Sequence, residues 1–178
     1  MKIVISICLL LISSVAMAQN KPATPPTLKS ILLEQFKTTH NVEDWFVPVN
    51  IAISDLTPEQ AGWADSSGNH SIAQLTNHLI FWDLQQLAKF KNANAPGFNG
   101  DNKETFTGFD KTAWDATVKR MDSVLTAWEV AIETAPETKL QKWYNTISHL
   151  STHNAYHTGQ IIYIRKMRGN WNPDKGVK

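Results

Sequence analysis

Residues 143–168, WYNTISHLSTHNAYHTGQIIYIRKMR, decide how the chain is read. They carry three of its six histidines, His149, His153 and His157, each four residues from the next. On a helix, residues four apart stand one above the other on the same face. With about 100° per residue, Leu150, His157, Ile161 and Ile164 share one narrow sector. His153 lies about 40° from His157, and His149 about 40° further out. The stretch therefore predicts a long helix whose inward face carries His153 and His157, with His149 more peripheral. A buried imidazole without partners costs on the order of a few kcal/mol. Two of them on one turn are satisfied either by hydrogen bonds or by a shared metal ion.

Working outward, Asp110 can cap a preceding helix in which Trp114, Val118, Met121, Leu125, Trp128 and Ile132 alternate steps of four and three. Ala135-Pro136 ends that helix, and the fourth helix is expected from Leu140 or Asn145 to Arg168, with Gly169 as its stop. Ser71 or His70 opens another helix through about Lys91, striped by Ile72, Leu75, Leu79, Trp82 and Phe90, with His78 facing inward or nearly so. Thr57-Pro58-Glu59-Gln60 is a capping signature for a short turn ending near Trp63. Leu28 to Leu56 reads as one broken helical element, in which Pro48 must either begin a helix or kink one. Asp65–Asn69 is a loop. Asn92–Phe109 is long, polar and glycine-containing, and a loop of that size is either mobile or functional. No alternating strand pattern appears after the first residues. The expected fold is all-α, an up-down four-helix bundle over 28–170, with a tail at 171–178 in which Trp171 folds back. Bundle cores are where such folds build metal sites from facing helices.

The chain's start is read separately. Met1-Lys2, the apolar run Ile3–Val15 and Ala16-Met17-Ala18 predict a cleavable signal peptide over 1–18, with a retained anchor as the alternative. A Pro-rich linker, 19–27, follows. The expected location is outside the cytoplasm, in the periplasm. Cys8, the lone cysteine, lies within the apolar run, so the mature chain has no thiol nucleophile, thiolate ligand or disulfide. The whole chain of 178 residues carries 17 Lys+Arg and 16 Asp+Glu, and removing Lys2 leaves 16 of each. Such a balance gives no electrostatic case for nucleic acid or an anionic membrane. The expected partner is a small-molecule substrate, with a homodimer as a further expectation.

His78, from the second long helix, is the third ligand that completes the pair His153 and His157. Three neutral imidazoles suit zinc, nickel, copper or ferrous iron better than magnesium or calcium. Three protein ligands leave a position open for water or substrate, the mark of catalytic zinc. Gln160 and Tyr156 are the expected helpers, although packing explains a glutamine there equally well. Asn77 and Asn154 are placed to orient ligand imidazoles, with helix surface as their plain alternative. Trp82 either walls a pocket or packs the core. His40 and His70, near helix ends, read as solvent-facing or capping residues. The competing explanation for all three inward histidines is that they are hydrogen-bonded core residues. No Gly-rich phosphate loop, HExxH or GxSxG motif is present.

At these residues the chain resembles the DinB-like (damage-inducible, YfiT-like) superfamily of four-helix-bundle metalloenzymes. The likeness is carried by HSIAQLTNHLIFWD (70–83) and HNAYHTGQI (153–161), supported by VEDWFVPVNIAISDLTPEQAGW (42–63), and it covers about residues 28–168. In that family an early histidine joins an H-x-x-x-H pair followed by Gly-Gln, here His78, His153 and His157. The resemblance implies a divalent metal on those three residues, often zinc or nickel, with iron as another choice. It also implies activities that include thiol S-transfer and isomerisation with low-molecular-weight thiols. The expected function is metal-dependent catalysis. Hydrolysis ranks ahead of thiol transfer because an exported protein is away from the cytoplasmic thiol pool. The alternative is an exported, non-catalytic metal- or ligand-binding bundle. His149 extends the pair to a triplet, and wheel position with the Gly-Gln context favours His153 and His157.

Overall fold

The computed structural model describes residues 25–106 and 109–176. The expected signal peptide at 1–18 and linker residues 19–24 lie outside them. Six α-helices occur among the described residues: α1 (Leu28–His40), α2 (Val49–Ile53), α3 (Pro58–Gly62), α4 (Ile72–Phe90), α5 (Trp114–Thr134) and α6 (Glu137–Met167). There is no strand among these residues, and no helix long and apolar enough to cross a membrane.

Local chemistry sets the helix ends. Thr57 Oγ1 accepts from Gln60 N at 3.2 Å and Gln60 Oε1 accepts from Thr57 N at 2.9 Å, closing the predicted capping box of α3. Ser71 and Gln74 close the same box at the start of α4, at 3.2 and 2.9 Å. Gly169 takes φ +65° after α6, with its N–H on Lys166 O and that of Asn170 on Arg165 O, so the predicted stop works through a left-handed residue. One boundary differs from expectation. Pro136 is the N-cap of α6 as well as the end of the preceding turn, so α6 starts before Leu140. The segment 28–56 is broken into two separate helices, and of the two roles open to Pro48 it takes that of beginning the second, as its N-cap. Pro48 disfavours helical backbone at the residue before it, and α2 restarts only at Val49. Trp45, in the intervening stretch, is 93% exposed.

The four long helices close a ring in which α1 packs on α5 and α6, and α4 packs on α5 and α6. Their directions follow from side-chain pairs. Phe90 meets Trp143 at 5.3 Å while His78 meets His153 at 5.0 Å, so α4 and α6 are antiparallel. Lys29 Nζ donates to Glu133 O while His40 reaches Asp122, so α1 and α5 are antiparallel. Trp114 Nε1 donates to Leu56 O beside α3, which packs on α4, whereas Trp128 Nε1 donates to Asp83 O and packs on Phe90. Thus α4 and α5 run side by side in the same direction. The order is up, down, down, up, where the sequence reading expects simple alternation. This order explains the long segment after α4: the chain must climb back along the helix it has just left. Gln85 Nε2 donates to Pro96 O, Phe98 packs on Phe81 and Trp82 at 5.3 Å each, and Thr105 reaches His78.

The core is apolar and aromatic. Trp128 lies between Phe36 at 5.6 Å and Phe90 at 5.3 Å, and Leu79, Met121, Leu125, Ile147 and Ile161 are fully buried. Each such side chain contributes about 1.5–3 kcal/mol by leaving water. Arg165 is buried, with Nη1 donating to Ala52 O at 2.8 Å and Ser54 O at 3.1 Å, and its guanidinium lies 5.0 Å from the Trp171 ring. Trp171 folds back as expected, which ties the tail to α2 and α6.

His40 corrects the sequence reading. It is fully buried, with Nδ1 at 2.5 Å from Glu129 Oε1 and Nε2 at 3.0 Å from Asp122 Oδ1. Each ring nitrogen thus has a carboxyl group of α5 within hydrogen-bond reach. Although His40 is the last residue of α1, next to the C-cap Asn41, its side chain joins α1 to α5 instead of facing solvent.

Candidate metal centre

His78 sits two turns into α4, and His153 and His157 sit one turn apart on α6. The antiparallel α4–α6 contact brings their Nε2 atoms together: His153 Nε2 is 3.1 Å from that of His78 and 3.1 Å from that of His157. One ligating atom from each of the three lies within 4.8 Å of the others, and no other such group of three occurs among the described residues. His78 is 3% and His157 8% exposed, with His153 half-buried.

The hydrogen bonds behind the rings assign their protons. Thr105 Oγ1 donates to Asn102 O at 2.6 Å, so at 2.5 Å it accepts from His78 Nδ1–H. Gln160 Nε2 faces Tyr156 Oη at 3.3 Å, so its Oε1, at 2.6 Å, accepts from His157 Nδ1–H. A neutral imidazole has one N–H. The Nε2 atoms of His78 and His157 are therefore bare lone pairs, both aimed at His153 Nε2. One proton on His153 serves one of them and leaves the other unpaired. A cation at the convergence point satisfies all three. Nitrogens 3.1 Å apart and about 2.0–2.1 Å from a zinc-like ion subtend roughly 100° at it, near tetrahedral. The donor set thus fits a divalent metal of borderline softness.

Burial holds the rings neutral. It pushes His78 down to about 3, helped by the neighbouring His157 and His153, and His153 down to about 4, helped by His157. His157 is also lowered, chiefly by burial, with Gln160 opposing. Neutral imidazole is the state that binds metal.

Thr105 and Phe106 are functional positions that the sequence reading did not single out. They lie in a 3-10 turn, Asn102–Phe106, inside the long segment whose length was the one signal. Phe106 stacks on His78 at 4.0 Å and 6°, and His70 stacks on its other face at 3.8 Å and 2°. His70 is exposed, as expected, but the cap of α4 is Ser71. Trp82 stands edge-on to His78 at 6.5 Å and donates Nε1 to Asn102 Oδ1, so it anchors the segment that carries Thr105. Asn154 does not serve His153. It turns into the core towards Asp83, and Thr105 and Gln160 hold the imidazoles instead. Asn77 is half-buried and lines a shallow cavity with Thr105 and Arg120. His149 is exposed, in a small groove with Trp82, Gln86 and His153, and is not part of the triad. Tyr156, 62% exposed, sits edge-on to His157 at 4.9 Å.

A pocket of about 660 Å³ opens on the outer side of His157, between α6, the turn after α3 and Phe106. Its walls include Trp63, Tyr163, Ile164 and Met167, so reactants would reach the triad from this side.

The chain matches no curated protein and no solved structure. Residues 49–161 match the family profile described as the DinB superfamily, a span that holds all three clustered histidines and most of the helical ring. By that match the chain belongs to the DinB superfamily.

Proposed function

We propose that the protein is a metal-dependent enzyme of the DinB-like four-helix-bundle type in which His78, His153 and His157 hold zinc or nickel, with iron as a third choice. The observation that carries this reading is the convergence of three Nε2 atoms whose tautomers are set from behind by Thr105 and Gln160. When bound, a divalent ion on three imidazoles polarises a substrate oxygen and brings a water towards neutral pKa. The chain's own part is to fix the ligands, keep them neutral and admit a substrate from the 660 Å³ pocket. Gln160 passes its hold on His157 to Tyr156, whose hydroxyl hydrogen remains available to a ligand in the pocket. Hydrolysis ranks first and thiol transfer second, in keeping with the exported location read from residues 1–18.

The test is elemental analysis of untagged protein before and after dialysis against a chelator. Near one equivalent of zinc, nickel or iron is expected, lost on chelation and restored on adding the ion. His149→Ala should keep that content, because His149 lies outside the triad. A metal-free protein that takes up none of these ions would overturn the reading, and loss of metal in His149→Ala would overturn the choice of ligands. Thr105→Val removes the acceptor that sets the His78 tautomer. Loss of such a partner lowers metal affinity about 10–100-fold, to be read by competition with a chromophoric chelator. An unchanged affinity would show that Thr105 does not position His78.

A further inference from the structure

The pocket beside the triad has a charge character that narrows what it can hold. Six of its lining residues, Trp63, Phe106, Tyr156, Tyr163, Ile164 and Met167, give it apolar and aromatic walls. No lysine or arginine lines it. Of the nearby basic residues, Arg165 binds the Ala52 and Ser54 carbonyls, and Arg168 stacks on the wall residue Trp63, 4.4 Å from its ring centre, without itself lining the cavity. The one carboxylate is Asp65, which accepts from Ser67 N at 3.0 Å, Ser67 Oγ at 2.6 Å and Asn69 Nδ2 at 3.0 Å. Those bonds hold it well below the usual carboxylate range, so it is ionised. Away from the triad, an anion entering here would give up its hydration and meet a negative charge, with no lysine or arginine among the lining side chains to offset either.

Resting on the reading of the triad as a metal site, we propose that the substrate body seated in this pocket is uncharged and apolar, aromatic or long-aliphatic, and that any anionic group it bears is confined to the atom facing the metal. A thiol whose body carries carboxylates does not meet this requirement. The inference therefore favours hydrolysis of a neutral apolar substrate over transfer with an acidic low-molecular-weight thiol.

The test compares two fluorescent probes with one body. N-phenyl-1-naphthylamine is neutral, and 8-anilinonaphthalene-1-sulfonate adds a sulfonate. Both are titrated into the full chain after dialysis against a chelator, so that no metal attracts the sulfonate. The neutral probe is expected to bind at least ten-fold more tightly. Gly159 lies on the pocket wall, with nothing within 4 Å of an added Cβ. Gly159→Leu improves helix propensity while filling the cavity, and should weaken the neutral probe at least ten-fold. Met167, 53% exposed on the rim at the last turn of α6, tolerates a cation there. Met167→Lys should raise sulfonate affinity several-fold. Equal or tighter binding of the sulfonate by the wild type would overturn the inference, as would neutral-probe binding that ignores Gly159→Leu. Elemental analysis separates the two claims. Metal-loaded protein that does not bind the neutral probe leaves the triad standing and sinks this inference. Metal-free protein that binds it in a Gly159-dependent way does the reverse.

Discussion

The double variant His153→Ala/His157→Ala is expected to lose metal binding and, with it, all metal-dependent thermal stabilisation. The wild type should gain heavily. A ligand that binds only the folded state stabilises it by about 4 kcal/mol at a thousand-fold excess over its Kd. For a chain of this size each kcal/mol moves Tm by about 2–4 °C. The shift with zinc or nickel is therefore about 8–16 °C for the wild type and none for the variant. The difference is large because the unfolded chain cannot reproduce the site. His78 is 75 residues from His153, and only packing of α4 on α6 brings their Nε2 atoms to 3.1 Å. Differential scanning fluorimetry on chelator-treated protein, with each ion added back, reads both chains. Equal shifts in the two would mean that metal binds elsewhere and would remove the triad as the site. Without metal, the variant should stand close to the wild type, since it also deletes an unpaired lone pair from a buried cluster.

The part of this site carried by helices was legible because helix periodicity is a local property. Wheel position relative to Leu150, Ile161 and Ile164 put His153 and His157 at the inward face and His149 further out, and the structure places His149 at the surface. The stripe of α4, with Ser71 or His70 at its start, likewise turned His78 inward or nearly so, and the structure has it buried. What was not legible depends on which end of the bundle each helix enters. The parallel α4–α5 pair cannot be read from stripes, which are the same for either direction. Yet that pairing forces residues 91–106 back along α4 and delivers Thr105 and Phe106 to His78. A threonine in a polar segment, 27 residues from the ring it holds, gives no periodic signal. His40 was misread for a related reason. Its position at a helix end suggests solvent, and only the packing of α5 supplies Asp122 and Glu129 to bury it.

Asp83→Asn is expected to raise stability, by an amount that grows with pH. Asp83 follows Trp82 in an ordinary helical stretch, and nothing in the sequence marks it as buried. In the structure it is fully buried, and neither of its carboxylate oxygens has a hydrogen-bond partner. Asn154 faces it from α6 and pulls its acidity partly back, yet the two amide atoms also fall short of normal hydrogen-bond geometry. Burial dominates and pushes the carboxyl up to about 8 from an ordinary 3.8. Between those values the folded protein holds a proton that the unfolded chain has released. The contribution of Asp83 to stability therefore falls as pH rises from about 4 to about 8, and levels off beyond. At pH 7 the window crossed is about three units, which at about 1.4 kcal/mol per unit sets an upper limit near 4 kcal/mol. Relaxation of the surroundings leaves about 1–3 kcal/mol as the expected gain, or several degrees in Tm. Asparagine keeps the shape, carries no charge and can pair its amide with that of Asn154, whereas alanine would leave a cavity. Thermal melts of chelator-treated protein from pH 5 to 9 should show the gap between variant and wild type widening up to about pH 8 and holding beyond, because the lowered histidines act alike in both chains. Parallel curves would show that Asp83 does not titrate in this range, and a less stable variant at pH 8 would show that its carboxyl has a stabilising partner in solution. Metal content measured on the same variant bears on why the residue is there. Asn154 adjoins His153 on α6, so a stabilised Asp83→Asn that binds metal less well would mean that the buried acid holds that ligand's turn in register at a cost in stability.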